Sequence, residues 1–128
     1  MTPGECFVFE PVARVEVVYK PRFDHFMTWR RGAIEHEWRA ELYGVARARL
    51  ARLWEQLPPA KFDTMCHTPS FGLRCFDSTD REIARIAPCF ACHNVRGTTR
   101  EGDWFAQFDA KSTEATEMLA ILRGLAPA

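Results

Sequence analysis

The chain has 128 residues, 47% of them hydrophobic, which suffices for one compact domain with its own core and falls short of two. Seventeen basic residues balance seventeen acidic ones, so no net positive field favours nucleic acid. Uninterrupted apolar runs stay at a few residues, far below the roughly 20 that a membrane-spanning helix needs, and Met1 to Cys6 lack the basic-then-apolar layout of a secretory signal. The expectation is a cytoplasmic protein with neither a membrane nor a nucleic acid as partner.

From Val12 to Lys20, Ala13, Val15, Val17 and Tyr19 alternate with Arg14, Glu16, Val18 and Lys20, the period-2 mark of a half-buried strand ended by Pro21. Phe23 to Arg31 is aromatic and irregular, either a loop packed on the core or a second short strand. Between about Ala33 and Leu57, Ile34, Trp38, Leu42, Val45, Leu53 and Leu57 recur at three- and four-residue steps or their sums, which predicts one long amphipathic helix stopped by Pro58 and Pro59. Glu35 and Arg39 would then pair at i,i+4 on its exposed side.

Phe71 to Asp77 and Arg81 to about Val95 read as two strands of a hairpin turning at Ser78, Thr79 and Asp80. Gly97 to Gly102 reads as a second turn, Trp104 to Phe108 as a further strand. Ser112 then offers a helix N-cap, with Ala115, Met118, Leu119 and Leu122 as the buried stripe and Gly124 as the stop. The expected fold is α+β: a four-stranded, mainly antiparallel sheet (strand, long helix, three-strand meander, helix) with two helices packed on one face, in a single domain over residues 1–128.

Four of the five cysteines, Cys66, Cys75, Cys89 and Cys92, cluster in the second half of the chain. If the hairpin centres on Thr79, Cys66 falls opposite Cys92 and Cys75 opposite Ile83. The first trio, Cys66, Cys89 and Cys92, completed by His67 or His93, could form a tetrahedral zinc site. Cys89-Phe90-Ala91-Cys92-His93 also matches the haem-attachment string C-x-x-C-H, disfavoured by its place in a strand-rich region late in the chain. A redox dithiol would want a helix N-terminus, which this pair lacks. The remaining option is that the cysteines are small buried apolar side chains, with no cofactor at all.

Cys66-His67-Thr68-Pro69-Ser70-Phe71-Gly72-Leu73-Arg74, followed by Cys89-Phe90-Ala91-Cys92, resembles small uncharacterised bacterial proteins that carry C-x-x-P-x-x-G-hydrophobic and then C-F-x-C one hairpin later. The resemblance implies that Cys66, Pro69, Gly72, Cys89, Phe90 and Cys92 belong to one structural unit, and brings no activity with it. Pro88 stands where that pattern has Ile, and a proline cannot donate to a strand ladder.

Catalytic signatures are missing. His36-Glu37 has Ala40 where a zinc protease needs its second histidine, and no P-loop, Gly-x-Gly-x-x-Gly or Gly-x-Ser-x-Gly occurs. His25 beside Asp24 is the one loose candidate for a base. Phe23, Phe26, Met27, Trp29, Arg30 and Arg31 concentrate the residue types that anchor protein interfaces, and Glu35, Glu37 and Glu41 offer an acidic counterpart on the expected long helix. The sequence therefore favours a non-enzymatic protein-binding domain, of the kind that serves as a bacterial immunity or inhibitor protein against a toxin, with a zinc or thiol-redox protein as the alternative.

Overall fold

The computed structural model describes residues 1–19, 38–61, 69 and 71–125. In chain order these form α1 (Pro3–Cys6), β1 (Arg14–Tyr19), β2 (Trp38–Leu42), α2 (Gly44–Gln56), β3 (Phe71–Phe76), β4 (Glu82–Cys89), β5 (Asn94–Thr99), β6 (Gly102–Gln107) and α3 (Thr113–Gly124). All six strands join one antiparallel sheet in the order β2-β1-β3-β4-β5-β6. The α+β class and the antiparallel sheet agree with the sequence. The strand count does not.

Two misread segments account for the difference. The stretch expected as one long helix is a strand and a shorter helix, divided at Tyr43 and Gly44, where Gly44 takes a φ of 62° that few other residues tolerate. Arg39 and Glu41 thus lie on a strand, and Val45, expected in the buried stripe, is 88% exposed. The stretch Arg81 to Val95 is also two strands, because residues 90–93 turn and His93 adopts a φ of 55°. The expected Gly97–Gly102 turn narrows to Arg100 and Glu101, with Gly97 inside β5 and Gly102 inside β6.

The hairpin register differs by one residue from the simple count. Phe76 faces Glu82, but Ile83 is an extra residue at a bulge, so Cys75 faces Ala84 rather than Ile83. Among the described residues the β3–β4 ladder runs to Leu73 and Ile86. Pro88 lies beyond that point, and β4 keeps its register with β5 through Pro88 and Cys89. The missing N–H falls where β3 no longer pairs.

One face of the sheet is the core face. The row Ala40, Val17, Leu73, Ile86, Gly97 and Trp104 crosses all six strands, flanked by Val15, Cys75, Ala84 and by Tyr19, Phe71, Val95, Ala106. Against it pack Leu50, Leu53 and Trp54 of α2 with Leu57 just after, Ala115, Met118 and Leu122 of α3, and Phe7, Phe9 and Val12 of the N-terminal segment. The 3-4-7 spacing in α2 and α3 places these side chains on single stripes. Two polar groups of this core are satisfied, Trp54 Nε1 donating to Phe7 O at 2.8 Å and the Tyr19 hydroxyl to Leu122 O at 2.5 Å, whereas Trp104 Nε1 is buried with no acceptor among the described residues.

Helix ends follow their local chemistry. Ser112 Oγ accepts from Ala115 N at 3.1 Å, with Glu114 in the first turn of α3 and Arg123 in its last. Pro58 and Pro59 follow α2 as expected. Among the described residues, no helix is long and apolar enough to cross a membrane.

Candidate functional site

Two of the three cysteines expected at a metal centre, Cys89 and Cys92, are described. Cys89, at the end of β4, is buried and outside any disulfide, Cys6 and Cys75 are also outside one, and Cys92 is disulfide-bonded. A bridged sulfur supplies no thiolate to a metal and no thiol to a haem vinyl group. No group of three or more His, Cys, Asp or Glu able to hold a metal is present among the described residues. Cys66 and His67 lie outside them.

His93 has structural partners instead. Its Nδ1 accepts from Ala110 N at 3.0 Å and its carbonyl from Phe108 N at 3.0 Å, so it ties the β4–β5 turn to the segment leading into α3. Histidine is among the residues that enter the left-handed region more readily than most. Burial raises the Cys75 thiol far above its ordinary value, which keeps it protonated, and raises the half-buried Cys6 thiol as well.

Of the interface candidates, Phe23, Phe26, Trp29, Arg30, Arg31 and Glu37 lie outside the described residues. Glu41 is described, on β2, where it accepts from Arg14 at 3.0 Å. It belongs to a row across the face opposite the core: Glu41, Glu16, Arg74, Arg85, Thr98, Asp103. Neighbouring like charges in this row are separated by side chains from adjacent positions. Arg14 bonds Glu41 and Asp80, Arg39 lies 3.5 Å from Glu16, and Glu82 sits between Arg74, at 2.5 Å, and Arg85.

Glu16 is the buried member and takes Arg74 Nη1 at 3.0 Å. Burial opposes the Arg74 charge, but bonds from Glu82 and Glu16 outweigh it and hold the guanidinium above its ordinary value. Burial likewise pushes the Glu82 carboxyl up, and the Arg85 and Arg74 bonds more than reverse this, leaving it below the usual carboxylate range. Phe76 is sandwiched into the network, with Arg14 at 3.9 Å and Arg74 at 5.1 Å from its ring centre.

At the β4–β5 end this row opens into a groove of about 540 Å³ lined by Arg81, Glu82, Ile83, Ala84, Arg85, Thr98, Thr99 and Arg100. Arg81 and Arg85 have carboxylate partners in Asp77 and Glu82, whereas Arg100 is exposed with none among the described residues. Arg96 and Phe105 occupy the adjacent row of the same face, the guanidinium 5.2 Å from the ring centre. Sequence reading missed this surface because its residues alternate along strands drawn with the wrong boundaries. The usable signal was Arg96 and Thr98 at period 2, with Thr98 facing Arg85 across a hairpin.

No family model, curated protein or solved structure matches this chain.

Proposed function

We propose that this protein is a non-enzymatic binding domain that docks an acidic segment of a partner protein along the Arg81–Arg85–Arg100 groove. The observation that carries the reading is the groove itself: three arginines and two threonines border one open, shallow surface, and one of the arginines lacks a carboxylate partner among the described residues. Arg96 stacked on the half-exposed Phe105 adds a residue pair of the kind that anchors interfaces. The Cys75 thiol is masked by burial and His93 Nδ1 is taken by a backbone amide, so neither group supports a catalytic role. By analogy of size and build, such a domain suits an immunity or inhibitor protein that occludes a toxin.

The test uses a defined probe, a fluorescent Asp/Glu-rich peptide, titrated by anisotropy against the wild type and against Arg100→Glu and Arg96→Glu. Saturable binding that weakens with salt and falls about tenfold or more in both variants is the expected result. Binding of equal strength in all three proteins would remove the groove from the reading. With extract of the native host, a partner retained by the wild type and released by Arg100→Glu supports the macromolecular form.

A further inference from the structure

The two edges of the sheet are treated differently. The outer edge of β6 is covered by the chain's own start: Gln107 N donates to Met1 O at 3.4 Å, and the Cys6 thiol lies 3.9 Å from Phe105 O. β2, at the other edge, has no strand beyond it among the described residues. Open edges invite pairing with another chain, and their sequence decides which chain can pair.

The β2 sequence is Trp38-Arg39-Ala40-Glu41-Leu42, whose charge pattern complements itself when reversed. In an antiparallel pairing of two copies about a two-fold axis at Ala40, Arg39 stands opposite the second copy's Glu41, and Glu41 opposite its Arg39. Both side chains lie on the face opposite the core, and both are largely exposed, at 59% for Arg39 and 53% for Glu41. Their present partners, Glu16 and Arg14, would extend the cross-pairs into one alternating run of charges. Shifting the register by one residue loses both matches.

We infer that β2 is a homodimerisation edge, where a second copy of this chain pairs antiparallel about Ala40 and joins two six-stranded sheets into one. The interface is isologous, so each cross-strand ion pair occurs twice. This inference does not depend on the groove, which lies at the far side of the sheet.

The experiment is sedimentation equilibrium over a concentration series to millimolar protein, with Arg39→Glu, Glu41→Arg, the double exchange Arg39→Glu/Glu41→Arg, and an equimolar mixture of the two single variants. The wild type should show a reversible monomer–dimer equilibrium. Each single variant faces like charges across the axis and should dimerise about tenfold more weakly or worse. The mixture and the double exchange restore opposite charges and should recover the dimer, a result that misfolding of a single variant cannot imitate. A wild type that stays monomeric at the highest concentration overturns the proposal, as does a dimer indifferent to the single exchanges.

Discussion

The Trp104 indole lies flat over Gly97 on the adjacent strand, so close that a Cβ on residue 97 would stand 2.2 Å from the ring carbon Cζ2. Gly97 sits mid-strand, where glycine ordinarily weakens a sheet, and here the absent side chain is the seat for the ring. The same ring meets Trp54 of α2 edge-on at 6.0 Å, which links β5 and β6 to the helical layer.

Gly97→Ala should therefore displace the indole and lower stability by about 1–3 kcal/mol, read as a shift of the urea midpoint with unchanged slope. Trp104→Leu in the same chain should relieve the clash, so that the double variant is less destabilised than the sum of the singles. Additive losses would place the indole elsewhere.

The Tyr19 hydroxyl ties the end of β1 to the last turn of α3 through Leu122 O. Tyr19→Phe keeps the ring and its edge-on contact with Phe71 but leaves a buried carbonyl short of a donor, at a cost of about 1 kcal/mol. Burial pushes the Tyr19 phenol up to about 12 from an ordinary value of 10. The folded state thus favours the neutral phenol: its contribution is full below 10 and is lost as pH rises from 10 to about 12. Denaturation midpoints across that alkaline range should fall more steeply in the wild type than in Tyr19→Phe.

Much of the core was legible in the sequence, and the reason for each failure is specific. Val15, Val17 and Tyr19, and Ala115, Met118 and Leu122, were read from unambiguous periods and are buried as expected. Trp38 and Leu42, by contrast, are four residues apart, a spacing that shares a face in a strand and in a helix alike. Only Gly44 could have divided the segment. The turn at residues 90–93 was hidden because His93, not glycine or asparagine, takes the positive φ. The groove arginines are distant in sequence and meet only through strand register, which a single sequence does not specify.

The Arg74 network carries a pH signature. Glu82 is held below its ordinary 4.5, so it contributes stability above that value and loses it as pH falls through the lower folded value. Arg74→Met removes one of the two cations on Glu82 and the closest one on buried Glu16. The variant should be less stable at neutral pH, because Glu16 and Glu82 each keep only one cation among the described residues, Arg39 and Arg85, and its stability should decline less between pH 5 and about pH 3. Chemical denaturation at a series of pH values checks both. Parallel acid limbs in the two proteins would show that Arg74 does not set the Glu82 titration.

The bridged state of Cys92 bears on the compartment expected from the sequence, since disulfides persist where the surroundings are oxidising. Chain purified without reductant and then denatured should give three titratable thiols, those of Cys6, Cys75 and Cys89, and five after reduction. Peptide mapping should find Cys92 linked to Cys66, the one cysteine left once Cys6, Cys75 and Cys89 are counted as thiols. Before denaturation the buried Cys75 and Cys89 should resist alkylation, and Cys6, partly exposed but with burial raising its thiol, should react slowly. Since Cys92 adjoins His93, whose backbone and ring hold Phe108 and Ala110, reduction should also loosen the approach to α3 and lower the thermal midpoint. Five reactive thiols in protein isolated under non-reducing conditions would count against the bridge.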